Sequence, residues 1–436
     1  MIKASSFPIV VCLLLTCIGA AAHADPLTLE QCIERGLSQN PEVKAYTLAI
    51  DEADQEINEA KGAFLPTLGF NYNLSQLSNG NSNEIDSDYL DQDSDSFSVR
   101  LTQPLFTGLG GVAGLKKARQ SKRFRQYELQ YVQLKLVHEI RTSFYDWIHA
   151  RQRAEQWRES VRRLEQQSAI AAAWVEQRLA PRLRLLEIGV ELSNARHELI
   201  RTCSEEAIAE ARLREWLAAA PDEPLEISGS LDCPMTDLCV NLEDCQAQAM
   251  EKRPEIVLAQ LNIDMARQEA KSILARNLPH AQIDASWVDF NRDYNELEYS
   301  DLDRDYYSVG LSLSFSPFQG GRNLSAWRRT RIAVDRLEQR LVHQRNSILT
   351  EVETGFQQLA ESRARILNSE DTLNEARAAY QMASRSAELG VVSLNELLDA
   401  ELRLTRAGIT LINSHYALCQ AQVQMDFALG NFTAVK

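Results

Sequence analysis

The run Tyr306-Tyr307-Ser308-Val309-Gly310-Leu311-Ser312-Leu313-Ser314-Phe315 is apolar at every odd position, and from Ser308 onward small or polar at every even one. A side-chain period of two describes a strand with two unlike faces. Its ten residues match the roughly 9–11 that cross a bilayer as a tilted β-strand. Three further runs share the pattern. Leu68–Leu74 sets Leu68, Phe70, Tyr72 and Leu74 against Gly69, Asn71 and Asn73. Phe97–Thr102 sets Phe97, Val99 and Leu101 against Ser98, Arg100 and Thr102. Ala281–Trp287 sets Ile283, Ala285 and Trp287 against Gln282, Asp284 and Ser286. A soluble half-buried sheet would alternate in the same way. The flanking aromatics and an export leader favour strands in a membrane.

That leader has Lys3, an apolar core from Ile9 to Ile18, and a small-residue cleavage site at Ala22-His23-Ala24, which places the mature start near Asp25. Leu14-Leu15-Thr16 ahead of Cys17 lacks the small residues of a lipoprotein signal. No later stretch reaches the roughly 18 uninterrupted apolar residues of a membrane helix. The 436 residues allow two or three ordinary domains, and the formal net charge of −15 speaks against nucleic acid. Six cysteines follow the leader: Cys32, Cys203, Cys233, Cys239, Cys245 and Cys419. Their spacings match no zinc site, so buried thiols with one bridge near Cys233 are the expectation, and neither metal nor cofactor is called for.

Between the strands the chain repeats itself. At an offset of 213, Leu29-Glu30 meets Leu242-Glu243, Cys32 meets Cys245, Pro41-Glu42 meets Pro254-Glu255, Leu65-Pro66 meets Leu278-Pro279, Pro104 meets Pro317, and Gly108 meets Gly321. Further on the offset is 212, with Leu186-Glu187 on Leu398-Asp399 and Ala195 on Ala407. A tandem repeat demands one reading for both halves. Each half has a short helix, an X-Pro break (Asn40-Pro41, Arg253-Pro254), a second helix and a hairpin. The hairpin connections, Ser75–Ser96 and Asp289–Asp305, are acidic but lack the spacing of a calcium loop, and read as solvated. After Pro104–Gly108 and Pro317–Gly321 the period changes. Leu129, Val132, Leu136, Ile140, Phe144 and Trp147, and then Leu341, Ile348, Val352, Phe356 and Leu359, step by three or four. These are the seams of long amphipathic helices, of about 70 residues and roughly 100 Å each.

The expected organisation is a leader over 1–24, first-repeat helices over 25–66, a membrane hairpin over 67–106 and a long helical hairpin over 107–219. A linker over 220–241 leads to second-repeat helices over 242–279, a second membrane hairpin over 280–317 and a second long helical hairpin over 318–436. Four strands cannot close a barrel, and lipid does not tolerate open sheet edges. Two copies would give eight strands and a filled barrel; three would give twelve and a lumen. The polar faces of Ser, Asn, Thr and Gln, with single charges at Arg100 and Asp284, suit a water-filled pore. Enzyme motifs such as HExxH or Gly-x-Ser-x-Gly are absent, so no enzyme is expected. A soluble periplasmic coiled-coil scaffold is the rival from another class, and it predicts no membrane strands.

Six features in order carry a resemblance. They are Leu29-Glu30-Gln31-Cys32 with Asn40-Pro41-Glu42, Phe64-Leu65-Pro66, Gln103-Pro104-Leu105-Phe106-Thr107-Gly108, Ser316-Pro317-Phe318-Gln319-Gly320-Gly321, Leu389-Gly390, and Glu396-Leu397-Leu398-Asp399-Ala400-Glu401. Over nearly the whole mature chain the sequence resembles the TolC-like outer-membrane efflux proteins. The resemblance implies a mainly α fold with a transmembrane β-barrel. Three protomers would share a twelve-stranded barrel in outer-membrane lipid, four strands each, above a periplasmic α-helical barrel. It implies a passive duct of a Gram-negative outer membrane, coupled through a periplasmic adaptor to an inner-membrane pump or exporter. Efflux is the leading role, with type I protein secretion as the alternative. The matching docking tips are Leu179, Ala180, Pro181 and Arg182, and Leu389, Gly390, Val391, Val392 and Ser393. The matching periplasmic gate positions are Glu396 and Asp399, with Arg184 and Glu187 in the first repeat. Arg184 is expected to form an ion pair that holds the mouth shut.

Overall fold

A computed structural model describes residues 26–77, 92–220, 223, 225–233, 241–294, 302–389 and 391–431. The leader, most of the first acidic connection, the middle of the second, much of the linker, Cys239 and Gly390 lie outside them. The elements run α1 (Leu29–Gln39), α2 (Pro41–Gly62), β1 (Thr67–Leu77), β2 (Gln92–Thr107), α3 (Gly110–Glu176) and α4 (Arg182–Trp216). The order then repeats as α5 (Leu242–Lys252), α6 (Pro254–Ala275), β3 (His280–Tyr294), β4 (Leu302–Ser314), α7 (Arg322–Glu388) and α8 (Leu394–Ala428). The long helices α3 and α7 each have 67 residues, and the return helices α4 and α8 each have 35. A 67-residue helix is about 100 Å long. Among the described residues no helix is long and apolar enough to cross a membrane.

Local chemistry sets the boundaries. Thr28 and Gln31 form a capping box on α1. Asn40 caps α2, its Oδ1 accepting from Glu42 N at 2.8 Å, while Pro41 fills the first helical turn. Asn40 Nδ2 also donates to Trp216 O at 3.2 Å, so the break between α1 and α2 is tied to the end of α4. In the second repeat Arg253 takes this place and donates to Phe427 O at 2.9 Å, near the end of α8. Sheet gives way to long helix through two consecutive left-handed residues, Gly108 and Leu109 in one half and Gly320 and Gly321 in the other. A Cβ on Gly108 would lie 2.4 Å from Ala275 O, so glycine is required there by space as well as by φ.

The four strands form one antiparallel sheet in the order β1-β2-β3-β4. One face carries Leu68, Leu101, Ala285 and Val309 in one row and Phe70, Val99, Trp287 and Tyr307 in the next. The other carries Thr67, Thr102, Asp284 and Gly310, then Gly69, Arg100, Ser286 and Ser308. The apolar face is open in the single chain, with Val309 79% exposed. The strands outrun the alternating segments: Asp93 and Asp95 belong to β2, Asp289 and Asp293 to β3, and Asp303 and Asp305 to β4. These aspartates read as connections because Asp has low β propensity. The pairing of adjacent Phe, Val and Tyr carries the ladder past them. Pro104 does not end β2 either. The ladder slips between Pro104 and Phe106, leaving Leu105 as an extra residue. This one residue accounts for the fall in repeat offset from 213 to 212, so Gly108 answers to Gly320 in space and not to Gly321.

In the helical region α3 is central, packed on α2, α4, α6 and α8, with α7 against α6 and α8. The largest core gathers Leu136, Ile140 and Phe144 of α3 with Cys32 and Ile33 of α1, Leu213 of α4, Leu225, Ile227 and Leu231 of the linker, and Val423 of α8. Its counterpart joins Ile348 and Val352 of α7 to Cys245 and Ala249 of α5 and Met425 of α8. Of the seam positions expected from the 3.6 period, Leu136, Ile140, Phe144, Trp147, Ile348 and Val352 are core, while Leu129 and Phe356 pack against it half-buried. Cys233 and Cys419 form a disulfide across 186 residues, stapling the linker to α8, and Cys245 is also disulfide-bonded. Cys32 is a buried free thiol, pushed up to about 11 by burial against the opposing pull of Arg35.

Candidate functional site

The end of the helical hairpins farthest from the sheet holds the positions singled out in the sequence. In the first repeat α3 ends at Glu176, Arg178 turns through a left-handed φ of 62°, and Leu179 projects with 71% of its surface exposed. Ala180 follows, and Pro181 stands before α4 with no side-chain cap, leaving Arg182 as the first helical residue. In the second repeat Leu389 and Val391 are 80% and 77% exposed. Ser393 starts α8 with a capping box: its Oγ accepts from Glu396 N at 3.3 Å, and Glu396 Oε2 accepts from Ser393 N at 3.1 Å. Val392 lies between, half-buried. Leu179, Leu183, Leu389 and Val391 thus give the tips an exposed apolar character.

Just above the tips, α4 and α8 flank an open groove lined by Glu187, Glu191, Glu396 and Asp399, with Val190, Leu398 and Leu402 supplying its apolar part. The carboxylates of both repeats meet there. Asp399 accepts from Arg403 Nη2 at 2.6 Å, an exposed pair one helical turn apart. Glu191 was not singled out in the sequence; its signal is the four-residue step from Glu187, which puts both on one face of α4. Arg184 is not in this groove. Its guanidinium carbon lies 4.7 Å from the centre of the Trp174 ring, so among the described residues of the protomer it meets an aromatic face and not the expected carboxylate.

A buried polar knot missed by sequence reasoning lies deeper. Glu401 Oε1 accepts from Ser160 Oγ at 3.0 Å, Arg163 Nη2 at 2.9 Å and Thr405 Oγ1 at 3.0 Å. Its side chain is only 4% exposed. Arg163 also faces the Tyr380 ring, whose hydroxyl accepts from Gln167 Nε2 at 3.3 Å. The knot ties α3, α7 and α8 together two residues beyond Asp399. Higher up, Arg141 Nη1 donates to Asp426 Oδ2 at 2.7 Å, and burial raises the Asp426 carboxyl above its usual range despite that arginine. Among the described residues no group of His, Cys, Asp and Glu could hold a metal ion.

The family model described as "Outer membrane efflux protein" matches residues 32–219 and 246–431, one match per repeat. The chain is 22% identical over 441 residues to the outer membrane protein TolC of Salmonella enteritidis, covering 97% of this chain and 85% of that protein. It is 27% identical over 186 residues to the alkaline protease secretion protein AprF of Pseudomonas aeruginosa, covering 42% of this chain and 37% of that one. Among solved structures it superposes on the Campylobacter jejuni CmeC outer membrane channel with a TM-score of 0.79 at 11% identity, over 92% of this chain and 85% of that one.

Proposed function

The chain belongs to the outer membrane efflux protein family, an outer-membrane channel of the tripartite efflux type, and from that premise we propose how it assembles and where it is controlled. Three copies close a twelve-stranded barrel in the outer membrane of a Gram-negative bacterium, and their long helices continue the duct into the periplasm. The observation that carries this reading is the four-stranded sheet, in which β1 and β4 are the outer strands and the apolar face is bare. An open edge in lipid leaves backbone groups unsatisfied at several kcal/mol each, so β4 of one protomer pairs with β1 of the next.

The tips take a periplasmic adaptor through Leu179–Arg182 and Leu389–Ser393, and an inner-membrane pump supplies the energy. The mouth is controlled by Glu396 and Asp399 with Glu187, whose carboxylates converge in each protomer and recur three times around a trimer. Such a ring attracts cations and opposes anions. Arg184 acts from its seat on Trp174, bracing the first tip. Efflux is preferred to type I secretion because the match to the secretion protein spans less than half of this chain. The test is the mass of the purified protein in detergent, followed by single-channel recording. A trimer with small cation-preferring openings that grow in Glu396→Gln/Asp399→Asn supports duct and mouth together. A soluble monomer without conductance would return the reading to a periplasmic scaffold.

A further inference from the structure

The sheet sorts its charges by face. Successive residues alternate between the two faces as far as the strand ends, although beyond Trp287 the polar face also carries Val288, Phe290 and Tyr306. Asp93, Asp95, Asp289, Asp293, Asp303 and Asp305 follow the apolar face outward, beyond the Phe97–Trp287 aromatic pair. Arg100 and Arg304 are on the polar face, Arg100 opposite Ser286 and Gly69, Arg304 opposite Phe290. Arg292 shares that face and lies over the Phe290 ring. Among the described strand residues the one acidic group on this face is Asp284.

We infer that the barrel segment of the duct favours anionic solutes, those bearing carboxylate, phosphate or sulfonate groups, because Arg100 and Arg304 project into its lumen while the strand aspartates project away from it. The inference rests on the trimeric barrel proposed above. Counting only these two arginines, a trimer sets six guanidinium groups against three Asp284 carboxylates. The two kinds of charge are also differently placed. Asp284 is held at the wall, accepting from Thr102 Oγ1 at 2.8 Å and Gln282 Nε2 at 3.0 Å. Arg100 is exposed, and Gly69 opposite it leaves space in which an added Cβ would meet nothing within 4 Å. The Asp284 row lies two residues to the periplasmic side of the Arg100 row, and the Arg304 row four residues to its outer side. At about 3.3 Å per residue these steps are roughly 7 and 13 Å, so Arg304 lies beyond a Debye length of about 8 Å from Asp284 and is not cancelled by it. The duct then carries two filters of opposite sign: an acidic mouth at the helix tips and a basic exit in the barrel.

Reversal potentials in a KCl gradient across planar bilayers test this on the purified trimer, in the wild-type background and in Glu396→Gln/Asp399→Asn. Arg100→Gln/Arg304→Gln should move the K⁺/Cl⁻ permeability ratio toward K⁺ by about threefold or more, the size expected for one unit charge some 6 Å from an ion in water. Asp284→Asn should move it toward Cl⁻. Arg100→Lys/Arg304→Lys, which keeps the charge, should leave it near wild type. Arg304 is in the outer part of β4, so Arg304→Gln alone disturbs the barrel least and should shift the ratio in the same direction. If the trimer conducts and neither the arginine nor the aspartate variants move the ratio, the inference is overturned and the channel reading stands. If no trimer forms or no variant conducts, the barrel reading beneath it falls.

Discussion

The same joint is built twice in this chain, once from a neutral amide and once from a buried ion. At the first, Asn40 caps α2 and reaches Trp216 O with the other end of its amide. At the second, Arg253 reaches Phe427 O, stacks on the Phe427 ring at 4.8 Å, and pairs with Glu255 at 2.7 Å and Glu351 at 2.9 Å. Both attach the X-Pro break to the end of a return helix. The difference lies in what failure leaves behind. Losing an amide costs a cap and a hydrogen bond, whereas losing the guanidinium strands the Glu255 carboxylate, 12% exposed, while Glu351 keeps access to water. The repeat conserves a connection and not a residue type.

The largest effect should follow from breaking the charged joint. Arg253→Met is expected to destabilise the protein by about 3–5 kcal/mol, because unpaired buried charge costs more than the pair contributes. Melting of the trimer in detergent, followed by far-UV circular dichroism, measures it. Arg253→Met combined with Glu255→Gln should recover a substantial part of the loss. If the double variant is no better than the single, the stranded carboxylate is not the cause. Asn40→Ala is expected to cost about 1–2 kcal/mol, a cap plus one hydrogen bond. Equal losses at the two sites would remove the distinction between the joints.

The helical hairpins were legible because 3.6-residue periodicity, X-Pro breaks and two copies of each signal agree. Leu136, Ile140 and Phe144 were expected in a seam, and they lie in the core with Cys32 and Leu213. The strands were legible only where hydrophobicity alternates; the Asp-rich ends have no such signal and are held by partners on neighbouring strands. Arg253 reads locally as a surface charge before a proline, and nothing near it announces Glu351, 98 residues away. The Cys233–Cys419 pair is hidden for the same reason. At the candidate mouth Glu187, Glu396 and Asp399 do share a groove, but the place of Arg184 over Trp174 depends on how α3 turns into α4, which residue types alone do not fix.

The tips repeat the lesson on a smaller scale. The second return helix begins with the Ser393–Glu396 capping box, the first with Pro181 and no side-chain cap. Ser393→Ala should cost about 1 kcal/mol and raise hydrogen exchange in the first turn of α8. The Glu396 carboxylate accepts from the backbone N–H of residue 393, which alanine keeps, so mouth conductance should change only as far as the first turn of α8 loosens. Exchange unchanged in α8 would show that tertiary packing and not the cap holds the second tip.

The smallest effect separates the two repeats by the sign of a pH dependence. Beside the first joint, Arg35 holds Glu223 through bonds of 2.6 and 2.8 Å, and this hydrogen bonding lowers the Glu223 carboxyl below its usual range. At the second joint burial raises the Glu255 carboxyl above its usual range, outweighing the pull of Arg253. A lowered folded-state pKa gives stability that is present above the unfolded value, about 4.3, and lost as pH falls through the folded one. A raised pKa gives stability that is complete below the unfolded value and lost as pH rises through the folded one. Glu223→Gln should therefore flatten the acid limb of the stability profile, and Glu255→Gln the limb above the usual carboxylate range. Glu223 is at the surface, where solvent and salt screen the pair, so its shift should be modest and should shrink further at high ionic strength. The Glu255 shift should resist salt. Profiles that move in the same direction would mean that the second carboxylate is stabilised by Arg253 more than it is penalised by burial, and the two joints would then differ in size but not in kind.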